Sequence, residues 1–234
     1  MFISAVIPAY NERENLSELT LRLTKAMDGT GIPYEILYVI QGNDGSKELL
    51  DSLNNPKVRY LYFPDPIGVS RAFLAGFKEV ADKSDLILTM DADLNHQPEE
   101  IPNLLKKYQE KNSDITIGSR YIPGGVVLNA PLWKKFLSRT MNRIINYFSG
   151  IKIADKTSGY RIYKKSVVKC IIENIKATNF EFYPETILIA HKFGFTFSET
   201  PITFKFRVRG ESKMYKIQTI LGYLKMFWRK LWKN

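Results

Sequence analysis

Asp91 and Asp93 are two carboxylates separated only by Ala92, and they follow the apolar run Leu86-Ile87-Leu88-Thr89-Met90. Such a run reads as a buried strand that ends where the acids begin. At a strand end, acids at i and i+2 can both face one ion. Mg2+ and Mn2+ prefer oxygen ligands of this kind and keep positions open for phosphate. A metal held there would neutralise a diphosphate leaving group. The alternative is a polar turn that closes a strand and caps a helix. Pro98-Glu99-Glu100 opens the next helix, so the acids fall in the connecting loop, and that context favours chemistry.

Three further clusters carry chemistry. Pro8, Tyr10 and Glu12 follow the first apolar run, where Tyr10 offers a flat face to a base and Glu12 can accept from a ribose or base donor. Gly118-Ser119-Arg120-Tyr121 puts an arginine at a strand end, where its planar fork suits phosphate. Arg207-Val208-Arg209-Gly210-Glu211-Ser212-Lys213 is a basic loop around a glycine, also suited to phosphate oxygens. Each has a plain alternative: a strand followed by a helix cap, a surface arginine, a solvated turn.

The elements that must position these residues alternate. Strands are expected at 2–7, 34–40, 57–63, 85–90 and up to about 118. Helices are expected after Asn11, which with Glu14 resembles a capping box, and at 46–53 and 68–81. This spacing predicts βαβ units and a mostly parallel sheet, whose ligands sit at the carboxyl ends of the strands. Beyond that, strands are expected at 157–163 and 195–206, and helices at 131–149, 180–193 and 214–232.

The four clusters, in this order, resemble the family 2 glycosyltransferases, with the best fit to their dolichol-phosphate mannosyltransferase branch. Asp155-Lys-Thr-Ser-Gly-Tyr-Arg161, Glu185 and Glu199-Thr-Pro-Ile extend the match over about residues 3–214. The resemblance implies an α/β GT-A fold and inverting transfer from a nucleotide sugar, GDP-mannose or a UDP-sugar, to a polyprenyl or dolichyl phosphate. A glycan hydroxyl is the alternative acceptor. It implies that Pro8, Tyr10 and Glu12 hold the nucleoside. It sets Ala92 beside the nucleotide, gives Asp91 and Asp93 to metal and diphosphate, and gives the phosphates to Arg120, Arg207 and Lys213. Asn95 stands where the family has a glutamine metal ligand, and Glu185 where related enzymes carry an acid that serves as a base. Two departures stand out. The second strand ends Val39-Ile40-Gln41-Gly42 instead of in paired aspartates, which displaces Asp44-Gly45-Ser46 and leaves Asp44 as the candidate nucleoside contact. Ala130 and Lys134 replace a tryptophan and an arginine.

Composition narrows the partners. The chain has 234 residues, 44% hydrophobic, enough for one large domain. One cysteine excludes an intrachain disulfide, and with two histidines it excludes an ordinary zinc cluster. No uncharged run of 18 apolar residues occurs, so no transmembrane helix is expected. Residues 205–234 hold nine Lys/Arg against one acid, Glu211, and so contain most of the net +10. Within that tail Ile217, Ile220, Leu221, Leu224, Phe227, Trp228, Leu231 and Trp232 recur at helical spacing; Trp133, Phe136, Leu137, Met141, Ile144 and Phe148 do the same in 131–149. Basic residues beside such stripes describe helices lying on a membrane surface. The alternatives are packing on the protein's own core and, for the tail, dimerisation. A continuous apolar stripe does not suit an arm that tracks nucleic acid. The expectation is a catalytic domain at 1–213 with a membrane-proximal helix at 214–234, peripheral to the cytoplasmic face of a membrane.

Overall fold

The computed structural model describes residues 1–206, 221–226 and 228. Its elements are β1 (Ile3–Tyr10), α1 (Arg13–Asp28), β2 (Tyr34–Gln41), α2 (Ser46–Ser52), β3 (Val58–Phe63), α3 (Val69–Val80), β4 (Leu86–Thr89), α4 (Ile101–Lys111), β5 (Ile115–Ser119), β6 (Val126–Leu128), α5 (Leu132–Ser149), β7 (Arg161–Lys164), α6 (Lys165–Asn174), α7 (Phe182–Lys192), β8 (Phe197–Pro201) and β9 (Thr203–Lys205). One 3-10 turn, Pro98–Glu100, precedes α4.

Seven strands form one sheet in the order β3-β2-β1-β4-β7-β5-β8. Six point the same way, and β7 runs antiparallel to both its neighbours, β4 and β5. β6 and β9 pair separately, in parallel. This is the α/β architecture with a mostly parallel sheet that the strand-helix alternation predicts.

Both faces of the sheet are covered, which is why the strands read as unbroken apolar runs. In β2, Leu37 and Val39 face one core with α3, α6 and α7, while Ile36, Tyr38 and Ile40 face the other with α1 and α4. Gly76 lets α3 close on β1, because a Cβ there would collide with the Val6 side chain.

The expected boundary at residue 213 lies outside the described residues, as do Arg207, Lys213 and much of the tail. Residues 221–226 are helical. Tyr223 and Met226 are buried in the core that α3 and α7 share, while Leu221, Leu224 and Trp228 are exposed. The two faces of this short helix thus divide between core and solvent. Among the described residues, no helix is long and apolar enough to cross a membrane.

Candidate active site

The carboxyl ends of β1, β2 and β4 open on a cleft of about 670 Å³. Pro8, Tyr10, Glu12, Asp91, Ala92, Asp93, Asn95 and Arg120 all line it. Eight residues singled out from the sequence are therefore brought together, on loops up to about 110 residues apart.

The first loop is built differently from the expected capping box. Asn11 takes a left-handed φ of 50°, and the N-cap position of α1 falls to Glu12, which makes no side-chain cap hydrogen bond. The cap comes from Asp44, whose Oδ2 accepts the Arg13 N–H at 3.0 Å and whose Oδ1 accepts the Ser46 N–H at 3.1 Å. Burial works against the Asp44 charge, but these bonds outweigh it and hold the carboxyl below its ordinary range. A carboxylate at two helix N-termini is also favoured by their dipoles. Asp44 thus caps two helices and is not among the residues that line the cleft. The residue of this strand end that does line the cleft is Gln41.

The acidic loop is held from below. Asp93 accepts the Asn95 backbone N–H at 3.1 Å and the Asn95 carboxamide at 2.6 Å. Leu94 between them adopts φ 59°, a left-handed conformation that costs energy in a branched residue and marks a constrained loop. Asp91 receives the Tyr183 hydroxyl at 2.8 Å. The Asp91 N–H points at His96 Nδ1, 3.4 Å away. His96 is 1% exposed and packed between the Tyr160 and Phe204 rings. Burial lowers its pKa to about 4, so it is neutral and Nδ1 remains an acceptor.

The donor set of this loop suits a hard divalent cation. Asp91 and Asp93 contribute carboxylates, and the side-chain oxygen of Asn95, Oδ1, is buried without a hydrogen-bond partner. Among the described residues, no three His, Cys, Asp or Glu side chains converge, so diphosphate oxygens would have to complete the coordination shell.

Arg120 faces the acids across the cleft but is not an isolated cation. Its Nε donates to Asp155 Oδ2 at 2.7 Å and its Nη2 to Asp155 Oδ1 at 2.8 Å, a two-pronged pair with a fully buried carboxylate. Nη2 also donates to Thr157 Oγ1 at 2.8 Å, and the guanidinium lies over the Phe204 ring. Asp155 opposes the burial of Arg120 and raises its pKa, so the cation is permanent. Ser138 and Thr157 join it in the lining.

The run after Asp155 is interior structure. Lys156 is fully buried and donates to Asn146 Oδ1 and to the carbonyls of Ile151 and Ile153, which ties the loop to the end of α5. Arg161, also fully buried, donates to Tyr183 O at 2.9 Å and Thr186 Oγ1 at 2.7 Å.

Glu185 does not line the cleft. It is buried in α7, where its Oε1 accepts the Lys176 N–H at 3.0 Å. Among the cleft residues that sequence reasoning did not assign are Gln41, His96, Ser138, Thr157 and Tyr183. Thr157 lies in a run noticed as a whole, and Gln41 was visible only as a departure. Nothing local in the sequence marks the other three.

The family model for glycosyl transferase family 2 matches residues 4–172. The dolichol-phosphate mannosyltransferase of Pyrococcus furiosus is 38% identical over 98% of this chain, which spans 63% of that protein. The polyprenol monophosphomannose synthase of Mycolicibacterium smegmatis is 36% identical over 89% of this chain and 79% of its own length. The undecaprenyl-phosphate mannosyltransferase of Micrococcus luteus is 32% identical, with coverages of 92% and 88%. The fold is shared with the crystal structure of glucosyl-3-phosphoglycerate synthase from Mycobacterium tuberculosis in complex with Mn2+, UDP and phosphoglyceric acid. There the TM-score is 0.69 at 14% identity, over 96% of this chain and 75% of that one. A parallel sheet of GT-A type, the acid pair at the end of β4 and these matches agree: the chain belongs to glycosyl transferase family 2.

Proposed function

We propose that this chain transfers a sugar, mannose or glucose, from a nucleoside diphosphate sugar to a polyprenyl or dolichyl phosphate at a membrane surface, with inversion. The names of the three mannosyltransferase relatives support the substrate class. The observation that carries the reading is the division of the cleft. The acids in its lining are Glu12, Asp91 and Asp93, and all belong to the β1 and β4 side. The opposite flank presents Arg120, Lys135, Ser138 and Thr157.

That division decides what kind of acceptor fits. A sugar hydroxyl must lose a proton as it attacks, so it needs a carboxylate near it. A phosphate monoester has its second pKa at about 6 and is ionised at pH 7. Its oxygen attacks unaided, and cations and hydroxyls suffice to place it. The described acceptor flank offers cations and hydroxyls and no acid. Arg120 holds the incoming phosphate while its own orientation is held by Asp155. Attack opposite the departing diphosphate in one displacement inverts the anomeric carbon.

Asp91, Asp93 and Asn95 would hold Mg2+ or Mn2+, which when bound offsets the charge growing on the leaving diphosphate. The Mn2+ and UDP in the glucosyl-3-phosphoglycerate synthase structure support a divalent cation here. Leu137 and Met141 of α5 line the cleft, while Leu132 and Phe136 of the same helix are exposed at its outer face. A lipid tail would leave the cleft along that side, and the exposed face of α5 with Leu221, Leu224 and Trp228 would rest on the membrane.

The deciding experiment is a donor screen. The protein is incubated with GDP-mannose, UDP-glucose or UDP-N-acetylglucosamine, a polyprenyl phosphate and Mg2+ or Mn2+. A lipid-phosphate sugar from one donor is expected. A folded protein that makes no lipid-phosphate sugar from any of the three donors would overturn the reading.

A further inference from the structure

Gln97 closes the acidic loop and is not among the residues that line the cleft. Only 8% of it is exposed. Its Oε1 accepts Arg22 Nη2 of α1 at 2.9 Å, and its Nε2 donates to the carbonyls of Leu94 and Asn95, each at 3.2 Å. Arginine can only donate, so the carboxamide has one orientation. Turned over, its NH2 would meet the guanidinium and its oxygen would meet two carbonyls. The Gln97 carbonyl in turn accepts the Tyr160 hydroxyl at 2.9 Å. Arg22 is itself held by Glu99, through Nε and Nη2, each at 2.8 Å. By way of Gln97, α1 thus grips the backbone of the acidic loop at the two residues that follow Asp93.

The grip falls where the loop is least stable by itself. Leu94 has its left-handed φ of 59°, and a bond to its carbonyl favours that turn over a relaxed one. Asn95 has a short side chain, and its NH2 is committed to Asp93 Oδ2 at 2.6 Å. The place of its unpartnered Oδ1 is therefore set by the backbone that Gln97 holds. The Asn95 carbonyl keeps a second donor, the Lys205 N–H at 2.9 Å, so loss of Gln97 would act first on Leu94. We propose that Gln97 is a positioning residue for the divalent cation: it holds Leu94 and Asn95 so that Asn95 Oδ1 and the Asp93 carboxylate can share one ion. The inference rests on the cation reading given under the proposed function. It goes further, to a residue outside the cleft that sets the affinity of the site.

The test is Mn2+ binding in the presence of UDP and of GDP, followed by electron paramagnetic resonance and corrected for Mn2+ held by the nucleotide alone. Wild type, Gln97→Ala and Gln97→Glu are compared, with Tm measured on each. Alanine removes the whole strap. Glutamate keeps the bond to Arg22 but turns its other oxygen on the Leu94 and Asn95 carbonyls. Both variants should bind Mn2+ roughly 10- to 100-fold more weakly, the usual effect of losing a group that orients a ligand. A residue that only stabilises the fold would lower Tm and leave the Mn2+ affinity of the folded protein unchanged, and that result overturns the proposal. Arg22→Met frees the Gln97 oxygen from outside the loop, so it should weaken Mn2+ binding by a smaller factor. If neither Gln97 variant folds, Arg22→Met decides, and unchanged Mn2+ affinity there overturns the proposal too. If the wild type binds no Mn2+ with either nucleotide, the cation reading falls and takes the proposal with it; wild-type binding that the variants preserve removes the proposal alone.

Discussion

The hydroxyl of Tyr183 donates to Oδ1 of Asp91 at 2.8 Å, across 92 residues of sequence. Burial first, and then the Asp91 charge, push the phenol pKa well above 10, so Tyr183 is a permanent donor. Its ring lies against Gly159, where a Cβ would stand 2.7 Å from Cε1. Tyr183→Phe should therefore fold normally and lose roughly 10- to 100-fold in kcat/KM, the worth of one hydrogen bond to a charged group. Gly159→Ala should lower both activity and Tm, because the ring must move. Wild-type kinetics in Tyr183→Phe would show that the bond does not orient the carboxylate.

Asp91→Asn and Asp93→Asn keep the size of each side chain and remove its charge. Each should reduce turnover at least about 1,000-fold, the scale of losing a main electrostatic stabiliser. EDTA should do the same to the wild type, and added Mn2+ should restore it. Full turnover in EDTA would refute the cation role.

The Arg120–Asp155 pair predicts a stability effect that is separate from catalysis. Removing one member leaves a buried charge without its partner, at a cost of about 3–5 kcal/mol. Asp155→Asn should show a loss of that size in urea unfolding. Asp155→Asn with Arg120→Met should be less damaging than the sum of the two single changes. Additive losses would mean that the pair is not coupled.

Local chemistry was legible in the sequence, and chemistry assembled across the chain was not. Asp91 and Asp93 announce themselves because an apolar strand runs straight into them. β1, β2, β4 and β5 were legible because burial on both faces leaves nearly unbroken apolar runs; β3, a half-buried edge strand, was legible by its Val, Tyr, Leu and Phe residues. Asn11 misled because the cap on α1 comes from Asp44, in another loop; the α-helix start is visible locally, but its partner is not. Residues 165–174, the helix α6, carried no expectation: only ten residues follow directly on β7, with Lys165, Lys169 and Glu173 interrupting the apolar ones. β6 has only three residues and is half exposed, so no pattern betrays it. Tyr183 and Ser138 reach the cleft from helices whose own periodicity explains them as ordinary packing.

His96 gives the protein a defined acid sensitivity. Its folded pKa is about 4, against 6.5 for the free side chain. Between those values the unfolded chain binds a proton that the folded chain does not. Stability from this group is therefore complete above about pH 6.5 and falls as pH drops toward 4, by roughly 3 kcal/mol in all. His96→Asn keeps an acceptor for the Asp91 N–H and cannot titrate there. Its unfolding free energy should vary less with pH over that range. Parallel pH profiles for the two proteins would contradict the buried neutral imidazole.

The short helix at 221–226 separates anchoring from folding. Tyr223→Ala should lower Tm, because that ring lies in the core. Leu224→Ser with Trp228→Ser should leave Tm unchanged and weaken adsorption to anionic vesicles, because both side chains are exposed. Unchanged adsorption would move the membrane contact to α5.

β7 alone runs against the sheet, and it joins the two groups of parallel strands. Its partners in β4 lie more than seventy residues earlier in the chain. In the finished sheet β5 does not touch β4, so the native partner of the β4 edge is missing until residues 161–164 exist. A growing chain thus completes its nucleotide half long before it can close the sheet. The same strand begins directly after the run that contains Asp155, so sheet closure and the arrival of the Arg120 partner are one event. Long-range closure of this kind is slow, and the waiting edge is exposed to other chains. For this molecule, the step most vulnerable to aggregation during synthesis is the wait for four residues.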